Sequence, residues 1–468
     1  MASTYLTRTQ SASPTSDKIG TISFWVKRTG ILTAPANTLS AIYQDSSNRM
    51  HFYFDDTDNN FKIYQQLGGS LSIRVSTSRK FIDTSAWYNI VLAFDTTQST
   101  STDRVKVYVN GVQETSFSDT TYPSQNAQVF LTKGTSFRIG AFDSGGGVSD
   151  YFNGLMANVE MVDGLQLTPA YFGSTDSNTG IWTPLASSTI ADYGTNGFKL
   201  KMDTTTPGAD TSGKSNTFTV GAGTPTLTQG SPSNNYACMN PLKTQSGFSL
   251  TMDNGNLRVR QGQAGQNASI PCTMPVKKGK WYVEVQPVSG LSQSAVAFGI
   301  GQAGMGSTFL NGEVGGYPGS LGGVHYKNNG NIEWYASGDQ STSTGTTFTG
   351  GSVDKIGIAL DCDNTKIYWY KNNVLVNSGG FDYSVCTASF TDPLAGGNLS
   401  IVGEYVVFMM AGTHNSGDDV VVNWNFGDGF FATTAAGTAS DANGQGLFAY
   451  APPTGYYALN TKNLEAYG

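Results

Sequence analysis

A period of two runs through this sequence. In "VKVYVNGVQE" Val105, Val107 and Val109 alternate with Lys106 and Tyr108, Asn110-Gly111 interrupts, and a second run opens at Val112. Successive side chains of a strand point to opposite faces, so the alternation describes a strand with one buried face. Both central residues of a type I′ turn need φ > 0, which Asn and Gly tolerate best, so the stretch predicts a β-hairpin. Far downstream "KIYWYKNNVLV", Lys366 to Val376, repeats the arrangement around Asn372-Asn373.

The rest of the chain follows the same rule. "TISFWVKRTG" sets Ile22, Phe24 and Val26 against Ser23, Trp25 and Lys27, and "MHFYFD" and "FKIYQQL" flank the turn-like "DTDNN". "SAWYNIVLAFD" is apolar enough for a central strand, and "SFRIGAFD" and "LMANVEMVDG" continue the series. From Phe248 the pattern resumes with "FSLTMDNGNLRVR", "GKWYVEVQPV", "SAVAFGIG" and "KIGIALDCDNTKIYWYKNN", closing on "VVVNWNFGDGFF". Strands recurring every 8–12 residues or so with turn punctuation predict β-sandwiches. No segment sustains helical periodicity, and "TPAYFG" supports one helical turn at most. Asp203 to Asn235 is dominated by Thr, Ser, Gly and Pro and reads as a connector. The expected architecture is all-β: a sandwich over residues 1–173, a Thr/Gly/Ser-rich bridge over 174–245 and a second sandwich over 246–468.

Charge and composition exclude several classes. A net charge of −7 argues against nucleic acid or an anionic membrane as partner. No run of about 18 apolar residues exists, so no membrane insertion is expected. "MASTYLTRTQSASPTSDKIG" lacks the apolar core of a secretory signal, which leads to an expectation of synthesis in a cytoplasm. Cys238, Cys272, Cys362 and Cys386 form no C-x-x-C pair; a zinc site is not expected, and buried free thiols are.

Longer stretches carry a resemblance. "SFWVKR", "WYNIVLAFDTT", "RVKVYVNG" and "FNGLMANVEMVDGLQLTPAYFG" resemble laminin-G-like, concanavalin A-like lectin/glucanase modules. The last of these, with "GIWTP", "YGTNGFKL" and "DTSGKSNTFTV", is similar to a form found in structural proteins of marine bacteriophages. "GKWYVEV", "AFGIG", "IGIALDCDNTKIYWYKNN" and "NFGDGFF" resemble a SPRY module, and "PPTGYYALNTKNL" is again similar to phage proteins. The resemblance implies a concanavalin-like jelly roll in each half. It also implies a homo-oligomeric component of the virion surface, made in the host bacterial cytoplasm, whose partners are other virion proteins or host-surface carbohydrate.

Catalysis, metal binding and ligand binding can each be sought in the residues. A retaining glycosidase needs two carboxylates about 5–5.5 Å apart. Glu160 and Asp163 in "VEMVDG" fall on opposite faces of a strand, and Asp361 and Asp363 in "LDCDNT" read as turn residues that cap their own backbone. His51, His325 and His414 are scattered, no Gly-x-Ser-x-Gly elbow occurs, and no helix follows the glycines of "GIGQAGMG", so no catalytic constellation emerges. The Gly-rich loop "FDSGGGVSDYFNG" offers Asp143 and Asp150 as hard oxygen ligands for calcium, against the plainer reading of a solvated loop with no cofactor. In the second half Tyr317, Tyr326, Trp334 and Tyr335, near His325, are candidate rings for stacking on a ligand, alternation burying about half of them. Three functions follow: a non-enzymatic virion recognition protein of the tail-fibre or receptor-binding type; a purely architectural head decoration, knob or adaptor; and, least favoured because the carboxylate pair is missing, a glycan depolymerase.

Overall fold

The computed structural model describes residues 4–10, 12–31, 37–132, 136–143, 145, 147–243, 250–262, 267–291, 295–302, 323–336, 339–391, 398–400, 405–412 and 419–468. The chain forms two compact units, residues 1–227 with 231–233 and residues 228–230 with 234–468. Both are antiparallel concanavalin-like sandwiches.

The first unit contains β1 (Tyr5–Thr9), β2 (Ile19–Arg28), β3 (Asn37–Asp45), β4 (Asn48–Phe54), β5 (Asn60–Leu67), β6 (Ser70–Lys80), β7 (Tyr88–Asp95), β8 (Val105–Val109), β9 (Val112–Gln113) and β10 (Phe117–Thr121). It continues with β11 (Ser136–Ile139), β12 (Phe142–Asp143), β13 (Val148–Ser149), β14 (Gly154–Asp163), β15 (Gly173–Thr175), β16 (Trp182–Pro184), β17 (Phe198–Leu200) and β18 (Thr219–Ala222). An eight-stranded sheet runs β10-β6-β5-β4-β3-β11-β1-β18 and a six-stranded sheet runs β17-β14-β2-β7-β8-β9. Alternation sends Phe24, Phe52, Ile63, Leu92 and Val107 inward, into a core between the sheets.

The second unit contains β19 (Leu250–Asp253), β20 (Arg258–Gln261), β21 (Asn267–Pro271), β22 (Lys280–Ser289), β23 (Ala295–Gln302), β24 (Val324–Lys327), β25 (Asn331–Tyr335), β26 (Asp339–Ser343), β27 (Ile356–Asp361), β28 (Lys366–Lys371) and β29 (Val374–Leu375). It ends with β30 (Phe381–Asp382), β31 (Thr387–Thr391), β32 (Asn398–Ser400), β33 (Tyr405–Gly412), β34 (Val420–Asn425), β35 (Phe430–Phe431), β36 (Thr434–Ala435), β37 (Tyr457–Ala458) and α1 (Thr461–Tyr467). Its larger sheet runs β19-β20-β34-β22-β27-β28-β29 and its second sheet β21-β33-β23-β24-β25-β26.

The two units repeat one topology. The path β6-β5-β4-β3-β11-β1 has its counterpart in β26-β25-β24-β23-β33-β21, and β14-β2-β7-β8-β9 in β34-β22-β27-β28-β29. Corresponding strands occur in the same chain order. The repeated hairpins are therefore the same part of the same fold. Asn110 and Gly111 take φ of 48° and 82°, and Asn372 and Asn373 take 47° and 68°. The first asparagine has a second task in both. The Asn110 N–H donates to the Asn89 carbonyl at 2.9 Å while its Oδ1 accepts the Asn89 N–H at 2.7 Å. Asn372 does the same with Lys355, at 2.9 Å in each direction. A residue there must tolerate φ > 0 and carry a short carbonyl, which selects Asn.

Two parts differ from the sequence expectation. Much of the Thr/Gly/Ser-rich stretch joins the sheets of the first unit, since β17 pairs with β14 and β18 with β1. Phe198 and Phe218 carry it there, their rings 4.8 Å apart and both within 5.6 Å of Phe137. Helix also extends beyond single turns, because α1 spans seven residues. Asn460 caps it, its Oδ1 accepting the Asn463 N–H at 2.9 Å. The four cysteines are buried and unbridged, and no helix among the described residues is long and apolar enough to cross a membrane.

After β36 the chain crosses the outer face of the larger sheet. Phe448, Tyr456 and Ala458 pack there on Tyr236, Tyr282 and Ala359. Glu284 pins this strap from the sheet, accepting the Ala449 and Tyr450 N–H groups at 2.8 and 2.9 Å.

Gly111 tests the hairpin assignment. A Cβ on it would lie 2.7 Å from the Trp182 ring, in addition to the strain of its φ. Gly111→Val should cost more than about 1 kcal/mol, read as a lowered melting temperature; an unchanged melt contradicts the turn.

Candidate functional site

Asp143 ends β12, in the short hairpin β12–β13. Its carboxylate pairs with Arg138 and accepts the Gly145 N–H at 2.8 Å. Asp150 lies just beyond β13 with φ 50°, and burial, with the nearby Asp56 charge, raises its carboxyl pKa. Among the described residues no group of three His, Cys, Asp or Glu side chains is placed to hold a metal ion. One of the two proposed calcium ligands is thus already half of an ion pair.

The second-unit aromatics separate. Tyr326 is a core residue and not a surface anchor: it faces inward from β24, is fully buried, and donates its hydroxyl to the Thr346 carbonyl at 2.5 Å. Its ring lies 5.2 Å from Phe348 and 6.2 Å from Trp369. Trp334 is half-buried with its ring 4.8 Å from Phe381. Tyr317 and the side chain of Tyr335 lie outside the described residues, as does His414. His325 takes the opposite face of β24, fully buried with its Nε2 3.4 Å from the Glu333 carboxylate, and burial lowers its imidazole pKa.

The carboxylates weighed for catalysis serve the fold. Glu160 accepts the Tyr193 hydroxyl at 2.5 Å and pairs with Lys199 at 3.1 Å. Asp163 accepts the backbone N–H groups of Thr15, Ser16 and Asn196 at 2.8–3.1 Å. Asp361 caps its turn by accepting the Asn364 N–H at 3.0 Å and pairs with Lys280 at 2.9 Å.

What the structure does gather is the outer face of the first unit's eight-stranded sheet. The cross-strand row Arg138, Ala41, His51, Tyr64, Arg74 spans β11, β3, β4, β5 and β6. His51 is stacked between Tyr53 and Phe142, with centroid separations of 4.2 and 4.3 Å, and its Nε2 lies 2.8 Å from Thr38 Oγ1. Phe142 belongs to β12, so the hairpin carrying Asp143 folds over one end of this face and walls it. Burial, followed by the Arg49 charge, pushes the His51 imidazole down to about 3. It is a neutral plate at ordinary pH and not a base. Beyond it Tyr53 and Tyr64 stay half-buried, with the Arg49 guanidinium 5.9 Å above the Tyr64 ring. Lys62 pairs with Asp55 at 2.6 Å and the exposed Arg74 with Asp119 at 2.7 Å. Rings with polar tips, cations and a raised wall are the ingredients of a recognition surface. Sequence reasoning missed this face although alternation carried the signal: Met50, Phe52 and Phe54 point inward, which puts Arg49, His51 and Tyr53 outward.

Residues 2–170 match the family described as the concanavalin A-like lectin/glucanases superfamily. Among solved structures, the chain is similar to the SPRY domain of human HERC1, at 19% identity over 40% of this chain and 96% of that one, with a TM-score of 0.28. It is similar to the TRIM65 PSpry domain, at 12% identity over 41% and 92%, with a TM-score of 0.25. A third similarity is to domain 4 of AbnA, a GH43 extracellular arabinanase from Geobacillus stearothermophilus in complex with arabinotriose, at 21% identity over 33% and 64%, with a TM-score of 0.24. No curated protein matches the chain in sequence.

Two measurements test this site. If Asp143 and Asp150 held calcium, chelator would lower the melting temperature, calcium would restore it, and changing both residues to Asn would abolish the difference. The expected result is no calcium-dependent shift, with Asp143→Asn destabilising by about 1–2 kcal/mol through loss of the Arg138 pair. The second concerns His51, whose folded pKa of about 3 lies below its ordinary 6.5. The unfolded chain binds the proton first, so its contribution is intact above pH 6.5 and is lost as pH falls towards 3, by about 1.4 kcal/mol per pH unit. Denaturation of His51→Gln across that range should show a correspondingly flatter acid limb; equal slopes contradict the burial argument.

Proposed function

We propose that the chain is a non-enzymatic recognition protein of a bacteriophage virion surface, of tail-fibre or receptor-binding type, whose sandwich faces engage a host-surface glycan. The observation that carries the reading is the outer face of the eight-stranded sheet, with Tyr53 and Tyr64 half-buried beside Arg49 and the β12–β13 wall. Aromatic faces take the apolar faces of sugar rings, and Arg49 supplies hydrogen-bond donors at their edge. The match of residues 2–170 to a lectin/glucanase superfamily supports a carbohydrate ligand. Engagement of Glu160, Asp163 and Asp361 by fold-holding partners supports binding over cleavage. The virion assignment draws on the resemblance of "FNGLMANVEMVDGLQLTPAYFG" and "PPTGYYALNTKNL" to phage structural proteins.

A different observation favours the architectural alternative. Each unit's hairpin sheet ends in a short edge strand, β9 or β29, whose Val112 and Val374 are 64% and 69% exposed. An open edge with an apolar residue is a template for a partner strand, here that of another virion protein.

Labelled protein offered to host cells and to particles lacking it separates the two. Glycan recognition predicts cell binding, weakened more than tenfold, or about 2 kcal/mol, by Tyr64→Ala or Arg49→Ala at unchanged melting temperature. Incubation with host polysaccharide should release no new reducing ends. Particle binding with no cell binding overturns glycan recognition as the main task.

A further inference from the structure

On the outer face of the first unit's eight-stranded sheet most cations are already spent. Lys62 is paired with Asp55, Arg74 with Asp119 and Arg138 with Asp143. Arg49, on β4, makes no ion pair and no hydrogen bond among the described residues. Only its Nε is buried, so Nη1 and Nη2 reach solvent. Its guanidinium lies over the Tyr64 ring, 5.9 Å from the centroid. Across the strands Arg49 stands between Tyr43 on β3 and Gln66 on β5. A Cβ on Gly145 would strike the Tyr43 hydroxyl, so the β12–β13 wall closes this row on one side. Gln66 donates Nε2 to the Gly69 carbonyl at 2.8 Å and brings no charge. The Tyr53 and Tyr64 hydroxyls are accessible too, and neither makes a hydrogen bond among the described residues. Lys80, also without an ion pair there, ends β6 about 20 Å along the strand from Arg74.

The acidic groups gather at the other end of the same strand. Asp55, Asp56 and Asp58 make the turn after β4. Asp150, whose carbonyl accepts the Thr38 N–H at 3.2 Å, is close enough to Asp56 to feel its charge. The length of β4, about 20 Å, separates that turn from Arg49. Asp45, nearer to Arg49 at the end of β3, spends its carboxylate on its own turn, accepting the Ser47 N–H at 2.8 Å and the Asn48 amide at 3.0 and 3.1 Å. His51, neutral at ordinary pH, adds no charge between the two ends. The face therefore changes sign along β4, from a free guanidinium to a group of carboxylates.

We propose that the glycan bound on this face is acidic, and that Arg49 pairs with the carboxylate of a sugar acid while the Tyr64 ring takes the face of the same or the adjoining sugar. The inference rests on the recognition reading above and names the ligand class of that site. The guanidinium fork matches a planar carboxylate. A pair formed beside an aromatic ring, with Nε already shielded from water, is stronger than one in open solvent. One free cation accommodates one acid group, and the carboxylates after β4 repel a second one further along the strand. With the chain's net charge of −7, this selects a glycan whose acid residues are spaced by neutral sugars over a continuous polyuronate.

The test titrates the full chain by calorimetry with surface polysaccharide extracted from host cells, either intact or with its carboxyl groups reduced to primary alcohols. The intact polymer should bind, and reduction should weaken binding by roughly tenfold or more, the loss expected for one charge-assisted pair. Arg49→Gln should bind both forms alike, at about the level of the reduced polymer, with a melting temperature near wild type because Arg49 makes no hydrogen bond within the fold. Arg49→Lys, which keeps the charge without the fork, should fall between. Tyr64→Ala should weaken both forms. Reduced polymer binding as tightly as intact polymer overturns the acidic ligand and leaves glycan recognition standing. A preference for the intact form that persists in Arg49→Gln overturns the part assigned to Arg49. Loss of binding in Arg49→Gln without loss on reduction assigns the charge to phosphate or sulfate and overturns the carboxylate. No binding of either form overturns the inference, and absence of cell binding as well overturns the recognition reading beneath it.

Discussion

Each unit exists because two antiparallel sheets bury one face apiece against each other. That burial, about 1.5–3 kcal/mol for each large apolar side chain, is the term that offsets the entropy of ordering so many strands. It dictates the period of two: Phe24, Phe52 and Leu92 in the first unit, and Phe298, Ile358 and Trp369 in the second, face inward because their neighbours do not. The units fill the same cavity differently. Where the first unit puts Val107, the corresponding position of the second is Trp369, whose Nε1 must then find the Phe298 carbonyl, at 3.0 Å. A larger ring in the core brings a polar atom with it, and the strand opposite supplies the acceptor.

Once the inner faces are buried, the outer faces must be managed, and the chain does so with buried polar groups. Glu284 sits on the outer side of β22, and burial raises its carboxyl pKa despite the N–H groups of the strap and the side chains of Asn425 and Tyr282 around it. Such a group holds only one segment in one register, because displacing the strap would leave a carboxylate unsatisfied in an apolar setting. Arg28 holds segments in the first unit from the inner face instead, on the same side of β2 as Phe24 and Val26. It is fully buried beneath the Phe54 ring at 4.5 Å and donates to the Phe81 carbonyl and Asn59 Oδ1 at 2.6 and 3.0 Å. Burial pushes its guanidinium down to about 10, so it stays charged and fixes two loops from within.

How much of this was legible in the sequence depends on how local each cause is. The turns at Asn110 and Asn372 are written in two adjacent residues, since the φ they need is a property of those residues. The strand series was legible for the same reason. The bridge was not. Phe198 and Phe218 stand in a Thr- and Gly-rich stretch without periodicity, and only their distant partner Phe137 makes them core. The face of Tyr326 was equally unreadable, because "VHYKNNGNIEWYASG" has aromatic or polar residues on both sides of the strand. A shift of one residue exchanges all of them, and the pairing with Phe298 and Ile332 settles it. From the sequence Asp143 reads either as a calcium ligand or as a solvated loop carboxylate, although Arg138 is five residues away in "RIGAFD"; the pair forms only because the chain turns back after β11.

The duplication of topology bears on function through what it leaves constant. The strand order, the asparagine that ties the hairpin to its neighbour, and the aspartate that caps the turn after β7 or β27 all recur. Those features hold backbone, and they tolerate little change. The outer faces recur in position but not in chemistry: the hairpin sheet of the first unit sets Tyr108 and Lys106 beside Val91 and Ala93, and that of the second sets Tyr370 and Tyr368 beside Gly357 and Ala359. A scaffold whose core and turns are fixed by internal constraints can vary its exposed rows at small cost, since a side chain on an outer face contributes little to the sandwich. Two copies of one jelly roll with unlike faces therefore separate the requirement to fold from the requirement to bind, and the unlike faces are where specificity has room to differ.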